Sequence, residues 1–565
     1  MSASAKAGKA GKTAAASASS SSSTSSKTLN VHWFRNADLR LHDNPALLRT
    51  VEASNGNGIL PVFCFDPRFV GATALSEFGS VKCGARRAQF VIESVANLRT
   101  NLEERGSGLV VARGKPEDVL RDVLAKVDPG PKKSFVPRVF CQQEVASEEL
   151  RVDKAVRATV MSHGPQSGSL ETVWGSTLYD PEELPFDGGV HGIPDTFTPF
   201  RNKVEKKCEI GKSLGAPRDE ELTLPNDWQV RDAVDGGSGS SSSSSSLKDC
   251  SLTYMPTLEE LGYSAEECEA ARTPDPRGVL HFRGGETAAL ARLEDYFWTK
   301  DLLKVYFDTR NGMLGPDYST KFSPWLAHGC LSPRFVASEC RRYEQDRVAN
   351  KSTYWVVFEL LWRDYYKFFA LKHGDRIFKL DGTLGRAARG EHPNSRRWGL
   401  DKRTVAAWKE GRTGYPLVDA NMRELSATGF MSNRGRQNVC SFLALDTNTD
   451  WRYGADHFET ELLDYDVYSN WGNWCAGAGM TGGRLNRFNI VKQSKDYDCD
   501  GEYVRHWLPE LRDVPTEFVH EPWKMSKEEQ AKFGVRLGVD YPNPIVKPFV
   551  PSRDGGRGGG RGKGG

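Results

Sequence analysis

Short apolar runs alternate with helical stretches from Leu29 to about Leu178, and beyond about His281 the alternation is gone. The runs cover 29–34, 59–65, 109–111, 136–141 and 171–174, and helical stretches such as 86–105, 116–127 and 147–161 separate them. Strand and helix in turn make βαβ units, so the strands form a parallel sheet covered on both faces. No G-x-G-x-x-G or Walker sequence follows any of these runs, which argues against a nucleotide dehydrogenase or a P-loop enzyme. From about 281 to 523 the pattern is helical throughout. Ser332-Pro333 marks one helix start, and a helix over 354–372 stops at Gly374. The expected fold is an α/β domain, 29–178, followed by an all-α domain, 281–523.

The remaining segments lack the composition of a core. Residues 1–28 are Ala/Ser/Lys/Gly with almost no large apolar side chain, and are expected to be disordered. Their basic, hydroxyl-rich character fits either an organelle transit peptide or a plain tail. Residues 179–280, rich in Pro, Gly and Asp and holding the Gly/Ser run 236–246, read as a connector with a flexible insertion. Residues 524–565 form a C-terminal extension, and Arg557 and Arg561 alternate with glycines near its end. Such an RGG-like segment suits single-stranded nucleic acid, RNA included, or serves only solubility. The 11 cysteines never form C-x-x-C and the 11 histidines show no ligand spacing, so no metal is expected; nor is there an apolar run long enough for a membrane span.

Three segments of the helical half carry chemistry. Glu359, Trp362, Arg363 and Tyr366 recur at i, i+3, i+4 and i+7 on one face of a largely apolar helix. Buried charges need partners, so Glu359 and Arg363 either pair with each other or face a ligand. Residues 317–326 crowd Ser319, Thr320, Lys321 and Ser323 into a turn before a helix, which suits a phosphate group or plain capping. Residues 464–474 join Asp464, Asp466 and Asn470 to Trp471 and Trp474. Without a histidine or a third acid to complete a metal site, the two carboxylates suit hydrogen bonding to a ring or a ribose.

Read together, these segments resemble the flavin domain of the photolyase/cryptochrome family. Its DASH branch is the nearest match in Arg310-Asn311-Gly312-Met313-Leu314-Gly315, in the run from Asp317 to Ala327, in Glu359-Leu360-Leu361-Trp362-Arg363-Asp364 and in Trp507-Leu508-Pro509-Glu510-Leu511. The resemblance spans about 29–523 and implies a U-shaped FAD held by Tyr306, Ser319, Thr320, Lys321, Phe322, Ser323 and Leu326. Glu359, Arg363, Asn433, Arg436, Asp464 and Asp466 would line the flavin, and Asn470 would face the N5 edge of its ring. Glu359 and Trp362 would hold a flipped pyrimidine dimer, with Asn433 and Asn470 also at the reacting centre. Arg434 and Gln437 would lie on the nucleic-acid side. Gln437 stands where duplex photolyases usually carry methionine, which goes with a single-strand preference. Trp474, Trp451 and Trp398, from the flavin outward, match the family's electron-transfer chain. Glu144, in Gln142-Gln143-Glu144-Val145, matches a contact to a methenyltetrahydrofolate antenna.

The implied activity is that of a photolyase-type lyase. It repairs cyclobutane pyrimidine dimers under blue light, mainly in single-stranded DNA, by electron transfer from excited reduced flavin. The alternative is a blue-light photoreceptor or regulator that binds nucleic acid without turnover. A monomer in chloroplast or mitochondrion is expected, with the nucleus as the other location. The sequence departs from the family pattern twice. Ala37 is an extra residue in a loop. In Trp474-Cys475-Ala476-Gly477 the tyrosine that DASH relatives place two residues after the tryptophan is missing, which alters the lesion pocket.

Overall fold

The computed structural model describes residues 27–128, 134–164, 167–225, 250–389, 392 and 394–548. The rest of the N-terminal segment, the Gly/Ser run 236–246, and Arg557 and Arg561 lie outside these residues. The five expected strands form within a few residues of their apolar runs: β1 (Lys27–Phe34), β2 (Leu60–Phe65), β3 (Val110–Arg113), β4 (Phe135–Gln142) and β5 (Ser169–Val173). A sixth, β6 (Cys250–Ser251), had no sequence signal. The sheet order is β5-β4-β1-β2-β3-β6, parallel except for β6, which runs antiparallel to β3.

Strand alternation sends side chains to two different cores. Val31, Trp33, Val62, Cys64 and Val110 face one core with α3 (Pro116–Val127) and α4 (Ser147–Met161). Phe34, Phe63, Phe65 and Val111 face the other, with α2 (Ala85–Glu103). A shorter helix, α1 (Pro45–Ser54), is capped by Asn44. The second core does not stop at the sheet. It continues without a break into the helical half, through Trp325, Leu360, Phe368, Phe442 and Trp474. The two halves therefore share one hydrophobic interior.

Two regions are more ordered than their composition suggested. Within the expected connector, α5 (Phe197–Lys207) buries Phe197, Phe200 and Val204. Within the C-terminal extension, read from sequence as a tail, Tyr541 is fully buried and donates to Asp419 Oδ2 at 2.6 Å. That carboxylate also accepts from the Thr413 and Gly414 N–H groups, so residues up to 548 belong to the helical unit.

The long helix, α7 (Lys351–His373), follows α6 (Ser323–Ala327). It begins three residues earlier than its apolar pattern, because Asn350 accepts from the N–H groups of Ser352 and Thr353, and it stops at Gly374 as expected. The N-cap read at Ser332 also forms, with its hydroxyl accepting from the Arg334 and Phe335 N–H groups. One side of α7 is bolted to the first domain. Asp364 Oδ2 accepts from Leu178 N at 2.8 Å and Tyr179 N at 3.2 Å, and Lys367 Nζ reaches Ser176 Oγ at 2.7 Å and Glu144 Oε2 at 3.2 Å.

Glu144 is the centre of this interface. It also accepts from the Gln142 side chain at 2.9 Å and the Tyr468 hydroxyl at 2.8 Å. Burial alone would raise its pKa, but Lys367 and Arg35 outweigh that and hold it below the usual carboxylate range. The stability it supplies is therefore present above its unfolded value of about 4.3 and lost as pH falls through the lower folded value. Glu144→Ala strands Lys367 in the interior and is expected to destabilise the fold by about 3–5 kcal/mol. Urea unfolding at neutral pH checks this, and the difference from wild type should shrink in acid.

Candidate active site

Four stretches of the helical half converge on one cavity of about 940 Å3. Tyr306 and residues 318–323, with Leu326, come from the turn leading into α6. Glu359, Trp362, Arg363 and Tyr366 come from α7. Asn433, Arg434, Arg436 and Gln437 come from α8 (Asn433–Ser441). Asp464, Asp466, Asn470 and Trp474 come from the start and body of α10 (Val467–Gly477). Every flavin-contact residue expected from the sequence lines this cavity. Trp451, Trp398 and Glu144 do not.

The α7 and α10 backbones approach closely because Gly472 has no side chain: a Cβ there would lie 2.3 Å from the Tyr366 ring. This brings the Glu359–Tyr366 face and the Asp464–Trp474 segment to a single site. On α7, Glu359 and Arg363 do not pair with each other. Glu359 Oε1 accepts from Arg310 Nη1 and Trp355 Nε1, both at 3.0 Å. Burial lifts its carboxyl above the ordinary range despite Arg310. Arg363 instead donates to the carbonyls of Ser176 and Leu326 and lies 4.0 Å from Asp466.

Several polar atoms here are buried with no protein partner. Asp464 gives Oδ2 to Arg436 at 2.7 Å, while its Oδ1 is unsatisfied, as are Arg363 Nε and Tyr318 Oη. Leaving such groups unpaired costs roughly 1–3 kcal/mol each, so the site calls for a polar ligand. Asn470 Nδ2 donates to Ala455 O at 2.9 Å, which turns its Oδ1 into the free acceptor. This donor and acceptor set fits a flavin ring and its ribityl chain. The phosphate turn differs from expectation in one detail. Lys321 has a φ of 60°, and its ammonium lies 2.8 Å from the centroid of the Tyr318 ring and donates to Ser319 Oγ at 3.0 Å. Burial pushes its pKa well down. The hydroxyls of Ser319, Thr320 and Ser323 are thus better placed for a phosphate than this ammonium.

Trp362 is a rigid wall, stacked on Phe197 at 3.6 Å between centroids and 11° between planes, with Tyr366 beyond it at 5.8 Å. Phe197 and Trp355, a clamp for Glu359, were both missed from sequence. Phe197 was hidden by the Pro/Gly-rich composition around it, while the i, i+4 spacing of Trp355 and Glu359 was a usable signal. Elsewhere the wall is built from small residues, Ala476, Gly477 and Cys440, where the family pattern would place a tyrosine.

The three tryptophans do not form one ring-to-ring stack. Trp474 lines the cavity, and its ring contacts are Trp408 at 5.9 Å and Phe458 at 5.1 Å. It seats against Gly454, where a Cβ would lie 2.2 Å from its ring, in the first turn of α9 (Arg452–Glu461). Trp451, at the N-cap of that helix, is fully buried, contacts Trp471 at 6.0 Å and donates to Leu380 O. Trp398 is half-buried, beside the bridge that joins Gly399 to Thr449. The series thus runs from cavity to interior to surface. Trp408, which the sequence did not single out, and Trp471 are the indoles in ring contact with this series.

The expected antenna contact, Glu144, already has protein partners. The Glu144 carboxylate is consumed by the domain interface described above. In the same region Glu149 also has a buried, unpartnered oxygen, Oε2, and burial lifts that group to about 7. Among the described residues no cluster of His, Cys, Asp or Glu is placed to hold a metal ion, and no helix is long and apolar enough to cross a membrane.

Comparison with known proteins agrees with this architecture. Residues 30–221 match the family described as DNA photolyase, and residues 355–550 match the FAD binding domain of DNA photolyase. Cryptochrome DASH, chloroplastic/mitochondrial, from Ostreococcus tauri is 47% identical over 536 residues, covering 92% of this chain and 91% of that one. Cryptochrome DASH from Gloeobacter violaceus is 46% identical over 526 residues, covering 93% and 94%. The crystal structure of the Synechocystis sp. cryptochrome superposes with a TM-score of 0.79 at 43% identity, covering 92% of this chain and 96% of that one. With an α/β first domain and a helical second domain that is the FAD-binding domain of this group, the chain belongs to the photolyase/cryptochrome family and to its DASH cryptochromes.

Proposed function

We propose that the protein is a light-driven, FAD-dependent lyase that repairs cyclobutane pyrimidine dimers, preferentially in single-stranded DNA. One observation carries the reading: the polar groups suited to a flavin and those suited to the two joined bases of a lesion line the same cavity. When bound and reduced, the flavin would supply, on blue-light excitation, the electron that opens the cyclobutane ring, and would take it back once the two pyrimidines are restored, so that the cycle is redox-neutral. The chain's own residues do the rest. Asp464 Oδ1 and Asn470 Oδ1 accept from N–H groups of the ring, and Asn433 and Arg436 stand beside them. The Ser319, Thr320 and Ser323 hydroxyls receive the phosphates. Glu359, kept in place by Arg310 and Trp355, would hydrogen-bond the lesion. Trp362, fixed by Phe197, gives its bases an apolar face and excludes water. Arg434 and Gln437 meet the strand.

Trp474, Trp451 and Trp398 would return electrons from the surface to the cofactor. A methenyltetrahydrofolate antenna would be held through Glu149 rather than Glu144. Arg557 and Arg561 would add a contact to single-stranded DNA or RNA, the protein would act as a monomer, and residues 1–28 would direct it to chloroplast or mitochondrion, or fail to and leave it nuclear. The small wall at Ala476 and Gly477 favours a second reading, a photoreceptor that binds nucleic acid without turnover. A repair assay with dimer-containing oligothymidylate under blue light and reductant decides between them: restored thymidylate supports the lyase, and binding without restoration supports the receptor.

Asp464→Ala removes the free acceptor and strands Arg436, so flavin affinity should fall about tenfold or more, read from the flavin absorbance retained after gel filtration. Glu359→Ala should keep the yellow cofactor and lower repair per photon by about tenfold or more, in the same assay. Trp474→Phe should slow photoreduction of the bound flavin while leaving repair by chemically reduced protein intact, checked by absorbance under steady illumination.

A further inference from the structure

Outside the cavity, on the exposed side of the α7 N-terminus, aromatic rings run in an unbroken series to the lesion wall. Phe307 meets Trp355 at 4.7 Å between centroids, Trp355 meets Phe358 at 4.4 Å, and Phe358 meets Phe197 at 5.4 Å; Phe197 stacks on Trp362. The last three line the cavity, whereas Phe307 and Trp355 lie beyond it. All but Phe197 are only partly buried, which is costly for side chains of this size unless something covers them.

Each outer ring also carries a cation. Lys351 Nζ sits 3.5 Å from the Phe307 centroid, the Arg310 guanidinium 4.9 Å from Trp355 and that of Arg201 5.5 Å from Phe358. Arg310 is engaged by Glu359 and Arg201 by Glu205 at 3.4 Å, but Lys351, exposed, has no carboxylate partner among the described residues. Aromatic faces interleaved with cations along a groove form the arrangement that holds single-stranded nucleic acid, with bases on the rings and phosphates on the cations. A protein partner would satisfy the rings, but it would leave the exposed ammonium of Lys351 without a counterpart.

Resting on the lesion-binding reading above, we propose that this track from Phe307 to Phe358 binds the unpaired strand flanking the dimer, stacking its bases as the damaged pair enters the cavity. A duplex keeps its bases paired and cannot use such rings, so the track would itself impose a preference for single strands.

The test uses flavin-loaded full-length protein in the dark and fluorescence anisotropy. Three probes are compared: the thymidine dimer dinucleotide, and single-stranded oligothymidylate of about ten nucleotides with and without a central dimer. The variants are Phe307→Leu, which keeps apolar volume but removes the π face, and Lys351→Gln, separately and together. The double variant should bind both long probes about tenfold more weakly and the dinucleotide unchanged. Lys351→Gln alone should lower the salt dependence of long-probe binding by about 0.7 in log–log slope. Unchanged long-probe affinity, or equal loss on all probes, overturns the track. If wild type binds both long probes equally and the variants weaken both, the track stands and lesion recognition fails.

Discussion

A helix that points charge inward on two sides organises this molecule. α7 carries Asp364 and Lys367 into the first domain and Glu359 and Arg363 toward the cavity, on a segment otherwise made of Val, Leu, Phe and Tyr. Burying four ionisable groups on one helix is expensive, and each is tolerated only because a fixed partner meets it. Asp364 takes the N–H groups of Leu178 and Tyr179, Lys367 takes Glu144 and Ser176, and Arg363 takes the Ser176 carbonyl. The interface between the domains and the shape of the site are thus set by the same element. A shift of α7 by one residue would break both together.

That coupling extends through Tyr468. Its hydroxyl donates to Glu144 in the first domain, while its neighbours on α10, Asp466 and Asn470, line the cavity. The first domain therefore fixes the acceptor edge of the site, even though none of its strands reaches the cavity wall. A shared hydrophobic interior reinforces the arrangement, since the core on one face of the sheet runs into the helical half without a boundary.

Much of this was legible in the sequence, for reasons that can be named. The strands showed because buried parallel strands are continuous apolar runs, and the caps at Ser332 and Gly374 showed because their chemistry is local. Motif resemblance then named residues that the fold brings together at one cavity. What stayed hidden depended on distant partners. Glu144 looks like a strand-end carboxylate until Lys367 and Tyr468 arrive from more than 200 residues away. Lys321 looks like a phosphate ligand until Tyr318 and Phe430 enclose its ammonium. Phe197 sits in a segment whose composition reads as a linker, and Tyr541 in one that reads as a tail.

The altered segment after Trp474 bears on how a lesion is held. Small side chains at Ala476, Gly477 and Cys440 give less apolar surface than an aromatic ring, so stacking on that part of the wall contributes little. Trp362, stacked on Phe197 and Tyr366, remains as an aromatic face of the cavity. On the proposed lesion reading, a wall built of small side chains would recover less of the energy spent in extruding a damaged pair of bases from a duplex. A strand that is already unpaired requires no such extrusion, and on the proposed reading the rings of Phe307 and Trp355, beyond the cavity, would offer its neighbouring bases further stacking. The small side chains after Trp474 and the proposed external track would thus push the substrate choice in the same direction.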